Sequence, residues 1–222
     1  MIQPDWELFF SSFLPLLDGA IRGTIPLAVM SFAIGLVLAL VLALMRLSAR
    51  RWISGIARVY ISIVRGTPLL VQLFIIFYGL PSVGVLIDPW PSAVAAFSIN
   101  VGGYAAEVIR AAILSVPKGQ WEAAYMIGMS RSRALTRIIL PQAARVSVPP
   151  LSNTFISLVK DTSLASTILV TELFREAQQV AAFSQEFMLL YLEAALIYWV
   201  ICLVLSTGQG FLEKRLDRYV AR

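Results

Sequence analysis

The chain has 222 residues, 59% of them hydrophobic and 14% charged, with mean hydropathy +0.80 and a formal charge of +5. A soluble domain carries roughly 25% charged residues and 45–50% apolar ones, so this is a membrane protein. With no histidine and one cysteine, Cys202, a histidine base, a histidine-rich metal site and an intrachain disulfide are excluded, and the 13 Asp and Glu residues leave carboxylate catalysis disfavoured rather than eliminated.

The first twenty residues hold Asp5, Glu7 and Asp18 and no basic start, which predicts an interfacial segment rather than a secretory signal. Between Arg22 and Arg46 lie 23 uncharged residues, enough at roughly 1.5 Å rise each to cross a hydrocarbon core of about 30 Å. Another 22 separate Arg65 from Asp88, and snorkelling by Arg65 lets that span begin near Val59 and end near Leu80. From Asp88 to Glu107 the gap is 18, but the apolar pattern continues to Val116, so Glu107 falls inside the third span. Only 14 uncharged residues separate Arg145 from Lys160. Either the fourth helix is short or Lys160 and Asp161 are held within the membrane. The last span holds 19 uncharged residues between Glu193 and Glu213. The expectation is therefore an all-α polytopic membrane protein, a single transmembrane domain over 1–222 with five spans at about 22–46, 59–80, 92–116, 143–171 and 187–210, and a loop at 117–141.

Orientation follows from the basic residues, since basic loops stay cytoplasmic. The segment after the first span (Arg46, Arg50, Arg51, Arg58), the 3–4 loop (Lys118, Arg131, Arg133, Arg137, Arg145) and the tail (Lys214, Arg215, Arg218, Arg222) hold 13 of the 18 Lys and Arg. This predicts the N-terminus outside and the C-terminus cytoplasmic. The positive charge is thus a topology signal and no argument for nucleic acid. No internal repeat, low-complexity tract or soluble domain is visible, so any soluble function belongs to a partner.

The 3–4 loop reads KGQWEAAYMIGMSRSRALTRIILPQAAR from Lys118 to Arg145. Glu122, Ala123 and Ala124 open a helix, Gly128 permits a sharp turn, and Pro141 bounds a second short helix with Leu135, Ile138 and Ile139 at helical spacing. Trp121, Tyr125, Met126, Ile127 and Met129 give the first helix an apolar side. That side suits either a groove on a partner or the inner leaflet.

Glu122, Ala123, Ala124, Gly128, Ile138, Leu140 and Pro141, at these spacings, resemble the EAA loop of the transmembrane subunits of binding-protein-dependent ABC importers. RGTPLLVQLFIIFYGLP (Arg65 to Pro81), GGYAAEVIRAAILSVPKGQWEAA (Gly102 to Ala124) and LSNTFISLVKDTSLAS (Leu151 to Ser166) extend the likeness over nearly the whole chain and resemble the polar amino-acid permeases, cystine permeases foremost, with glutamine, basic and acidic amino-acid permeases sharing most of these segments. The resemblance implies the type I ABC importer permease fold in a bacterial inner membrane. The two short helices become coupling helices seated on a separate ATPase subunit, with Glu122 and Gly128 central to docking. Family members pair with a second copy or a sister permease, with two ATP-binding subunits that hold ATP and magnesium, and with an extracytoplasmic amino-acid-binding protein. The chain itself has no P-loop signature, and neither cofactor nor metal is expected in it.

A transport path is suggested by polar groups at membrane depth. Asn100, Tyr104 and Glu107 fall at i, i+4 and i+7 on one helix face. A carboxylate at the bilayer centre costs roughly 2.5–3.5 kcal/mol, so Glu107 should face the interior. Arg110, three residues on, offers the alternative of simple mutual neutralisation. Lys160 and Asp161 point about 100° apart on a helix, with Thr162 and Ser163 at the same depth. A zwitterionic substrate offers an ammonium to Asp161 or Glu107 and a carboxylate to Lys160 or the hydroxyls. The competing reading is a buried ion-pair network bracing a dimer or a gate. Gly102 and Gly103 are read as packing, Pro26 and Pro68 as kinks or helix starts, Tyr198 and Trp199 as membrane-helix packing, and Cys202 as inert. Beside the importer subunit stands one hypothesis of another class, an intramembrane enzyme using Glu107 and Asp161 as an acid/base pair.

Overall fold

In a computed structural model, residues 6–217 are described, and they are helical almost throughout with no strand among them. Asp5, Arg218 and Arg222 of the charge argument lie outside the described residues. Helix α1 (Trp6–Gly19) runs through a wide π turn (Ala20–Thr24) into α2 (Ile25–Arg46), so that Trp6–Arg46 is one apolar helical stretch of 41 residues. The expected interfacial segment is thus continuous with the first span. The reason lies in the sequence: WELFFSSFLPLLDG keeps an apolar face, and its Leu16 is buried against Leu173 and Ala177.

The second expected span is not straight. Helices α3 (Arg51–Gly66) and α4 (Leu69–Phe74), the latter continued by a π turn and a 3-10 turn to Val83, meet at a bend of 106°. Thr67 precedes Pro68, and the proline ring drives it to φ −121°, ψ 145°, which ends α3. Helix α5 (Pro89–Ser115) begins on a proline whose missing N–H is not needed there and ends before Pro117. Helix α6 (Lys118–Met126) and the short α7 (Arg131–Ala134) form the loop hairpin. A π turn (Leu135–Ile139) then carries α7 without interruption into α8 (Leu140–Asp161). Pro141 therefore does not bound the second short helix as expected, because the widened turn opens room for its ring. Helix α8 gives way to a 3-10 segment (Thr162–Ile168), α9 (Leu173–Ser184) follows, and α10 (Phe187–Asp217) ends the described chain.

Among the described residues, three helical stretches are long and apolar enough to cross a membrane, four if the bent pair counts as one. Helix α8 has 22 residues but carries Arg145, Lys160 and Asp161 along with Pro149 and Pro150.

The core is the long seam between α2 and α5. On α2, Ala28, Ser31, Gly35, Ala39 and Leu42 recur at helical spacing, and all are buried. Opposite them lie the buried Ala93, Phe97, Val101 and Ala105 of α5. Without water to drive association, helices in a bilayer approach closely only where side chains are small. A Cβ on Gly35 would come within 2.6 Å of Val101 and 3.0 Å of the Ser98 carbonyl, and one on Gly102 within 2.7 Å of Leu38. At the end of the bundle where α9 packs, the fully buried Glu172 caps α9 by accepting from the backbone N–H groups of Phe174 (2.9 Å) and Arg175 (2.7 Å). It also accepts from Tyr198 of α10 (2.8 Å) and Thr24 (3.3 Å), which ties three helices together.

Gly35→Val should lower the thermal unfolding midpoint of the purified chain, consistent with about 1–3 kcal/mol of overpacking. Gly55→Ala, at a position with nothing within 4 Å, should raise it, by up to about 1 kcal/mol.

Candidate functional site

Helices α5 and α8 and the α3–α4 break enclose a cavity of about 420 Å³, within the usual range for small-molecule sites. Asn100 and Tyr104 come from α5, Thr67 and Pro68 from the break, and Asn153, Ser157 and Asp161 from α8. Of the seven residues expected along the path, Asn100, Tyr104 and Asp161 meet here. Asp161 is the one charged residue in the lining.

The other four lie elsewhere. Glu107 is bound by two arginines: Arg110 approaches its Oε2 at 2.7 and 2.9 Å, and Arg46, at the end of α2, its Oε1 at 3.2 Å. Mutual neutralisation is thus what the geometry shows, extended by an arginine from a second helix. Lys160 is exposed and does not line the cavity. Thr162 and Ser163 return their hydroxyls to their own chain, donating to the carbonyls of Val159 and Lys160 at 2.8 Å each. Lys160 and Asp161 are the last two residues of α8, set apart by their helical angle, and the 3-10 segment begins at Thr162.

Sequence reading missed Asn153, Ser157 and the pair Thr67 and Pro68. Asn153, Ser157 and Asp161 fall at i, i+4 and i+8, the same one-face rule that picked Asn100 and Tyr104. Arg65 stands at the margin, its guanidinium 5.4 Å from the centre of the Tyr104 ring. Gln72 of α4 donates to the carbonyls of Val64 (2.8 Å) and Thr67 (3.1 Å) and to the Thr67 hydroxyl (2.9 Å), and it accepts from the Asn100 amide (3.2 Å).

The second functional element is the hairpin. Gly128 takes φ +78°, and the N–H groups of Gly128 and Met129 close α6 onto the carbonyls of Tyr125 (2.9 Å) and Ala124 (3.0 Å). The Ser130 hydroxyl then caps α7. Ala124 is buried, whereas Glu122 and Ala123 are exposed, and Met126 and Ile127 are 87% and 74% exposed. Leu140 is half-buried and Pro141 exposed.

Residues 35–218 match the family described as binding-protein-dependent transport system inner membrane component. The chain belongs to this family. It is 61% identical over 218 residues to the L-cystine transport system permease protein TcyB of Bacillus subtilis, covering 98% of this chain and 93% of that one. It is 38% identical to the glutamine transport system permease protein GlnP of Escherichia coli, covering 98% of each. A solved amino acid ABC transporter crystallised with histidines superimposes with TM-score 0.90 at 34% identity, over 96% of this chain and all of that one. The MetNI methionine ABC transporter, at 18% identity and TM-score 0.72, shares the fold. The permease is therefore a multi-pass inner-membrane transport subunit of an ABC importer with the all-helical importer fold, and it works with an ATPase and a binding protein. The enzyme alternative falls with this, and its two carboxylates do not share the cavity.

Glu107→Gln should leave Arg46 and Arg110 short of their shared anion and lower the unfolding midpoint, by about 2 kcal/mol. Asp161→Asn, which breaks no ion pair among the described residues, should leave it unchanged. Differential scanning fluorimetry of the two variants side by side checks this.

Proposed function

We propose that the permease carries a polar amino acid, L-cystine foremost, by alternating access through the cavity between α5 and α8, driven by nucleotide-dependent movement of the α6–α7 hairpin. The observation that carries this reading is the place of the hairpin in the chain. It is inserted between the two helices that wall the cavity: α5 holds Asn100 and Tyr104 and leads into α6, and the helical stretch from Arg131 to Asp161 holds Asn153, Ser157 and Asp161. At roughly 1.5 Å per residue that stretch is a lever of about 45 Å. A push on Glu122, Ala123, Ala124 and Gly128 by an ATPase subunit reaches both walls through unbroken backbone, with Leu140 and Pro141 inside the second lever.

Asp161 takes the substrate ammonium, and the amide and hydroxyl groups of Asn100, Asn153 and Ser157 share its remaining polar contacts. Glu107 is a brace for α2 and α5 rather than part of the path. The best supported substrate is the one named for the Bacillus subtilis relative, at 61% identity. In this reading the chain crosses the membrane five times as one domain, the bent α3–α4 unit and α8 being spans two and four, with its N-terminus outside and C-terminus inside. Two permease subunits, identical or sister chains, sit on two ATPase subunits that bind ATP and magnesium. An extracytoplasmic binding protein delivers the substrate.

The test is ATP-dependent uptake into proteoliposomes holding the complete complex and binding protein, with L-cystine, glutamine, arginine and glutamate compared. L-Cystine should be accumulated best. Gly128→Val, which places a β-branched residue at φ +78° with nothing within 4 Å of it, should reduce uptake at least about ten-fold by distorting the hairpin while the cavity still binds substrate. Asp161→Asn should reduce uptake comparably with the hairpin still coupled. Uptake of L-cystine unaffected by either change contradicts the proposal.

A further inference from the structure

We infer that Gln72 is a positioning residue: it caps the break between α3 and α4 and, through that cap, fixes Asn100 with its carbonyl edge toward the cavity as an acceptor for the substrate ammonium. This rests on the cavity being the substrate site.

The chain of reasoning starts at Pro68. In an uninterrupted helix the N–H of residue 68 would serve the carbonyl of Val64, four residues back, and proline has none. Inside a membrane an unserved carbonyl is costly. The Gln72 Nε2 group takes over that bond at 2.8 Å and reaches the Thr67 carbonyl and hydroxyl as well. A backbone carbonyl can only accept, so the edge of Gln72 turned to Val64 and Thr67 must be its NH₂. Its Oε1 is thereby committed to the opposite side, where Asn100 stands at 3.2 Å. Asn100 must answer with a donor, its Nδ2. The carbonyl Oδ1 is then the edge Asn100 has left for the cavity it lines. Two amide orientations are thus dictated by one missing proline hydrogen.

The outcome matches the charge in the cavity. Asp161 is the charged residue of the lining, and an acceptor at Asn100 adds to it, whereas a flipped Asn100 would present its donors to the same ammonium. Thr67 and Pro68, which Gln72 holds in place, line the same cavity.

Equilibrium binding to the detergent-solubilised permease–ATPase complex tests the inference with two probes, L-cystine and 3,3′-dithiodipropionate, which lacks the two ammonium groups and is otherwise the same molecule. The wild-type complex should prefer L-cystine by about ten-fold or more, the scale of a hydrogen bond to a charged group. Gln72→Leu frees Asn100 to turn, and the preference should fall several-fold, chiefly through weaker L-cystine binding. Adding Asn100→Asp to Gln72→Leu should restore it, because a carboxylate presents an oxygen on either edge and needs no orienting partner. A purely structural cap would weaken both probes equally and would not be rescued at residue 100, and either of those results overturns the inference. Should Gln72→Leu fail to assemble, Asn100→Leu, which leaves the Val64 cap intact, should lower the preference by a similar factor, and an undiminished preference overturns the inference. A wild-type complex that binds neither probe contradicts the cavity as the substrate site.

Discussion

A helix in a bilayer has no water to satisfy its backbone, so every proline within it creates a missing donor that the protein must answer internally. At Pro26, Pro68, Pro81 and Pro141 the answer takes one of two forms. Pro26, Pro81 and Pro141 each follow a π turn by two residues, and the carbonyl that each ring would strike, that of Arg22, Phe77 or Arg137, lies inside that turn. The helix widens and continues. At Pro68 there is no such turn. The backbone breaks by 106° and a side chain, Gln72, supplies the lost bond. The first solution preserves long rigid levers, and the second opens a concave corner against α5 and α8. The mechanical and the binding parts of the molecule are two outcomes of one chemical deficit.

The levers matter because of where the hairpin sits. Both of its ends lead directly into cavity walls, so a displacement at Gly128 need not be relayed through side-chain contacts. Meanwhile α5 is held to α2 by a seam of Gly, Ala and Ser residues and by the Arg46–Glu107–Arg110 cluster. The buried Glu172 fixes the first helical stretch, α9 and α10 to one another. A closely packed seam behind one wall and a helical lever behind the other suit a cavity whose walls are to shift against each other.

Charge spacing in the sequence made the long helices legible, and the EAA spacing located the hairpin and its family. Pro68 was legible as a kink or helix start, but the size of the bend was not, because nothing local says that the Gln72 side chain will fold back eight residues to Val64. The continuity of α7 with α8 was hidden for the opposite reason: Pro141 is a helix-stop signal, and only a widened turn overrides it. Asn100 and Tyr104 of the candidate site followed from helical spacing on α5. The α8 face Asn153, Ser157 and Asp161 obeys the same spacing, but the adjacent charges Lys160 and Asp161 drew attention along the chain instead of along the face. The pairing of Glu107 with Arg110 was legible from their spacing, but its second partner, Arg46, is 61 residues away and was not.

The central claim is that movement of the hairpin shifts the walls of the cavity against each other. It is tested most directly by cysteines introduced at Thr67 and Ser157, on opposite walls of the cavity, in a Cys202→Ala background, with a short bifunctional crosslinker applied to the assembled importer. The crosslinking yield should change when ATP is added to the complex with an intact hairpin and should stay constant when Gly128→Val is present. A yield indifferent to ATP, or equally responsive with the hairpin distorted, contradicts the account.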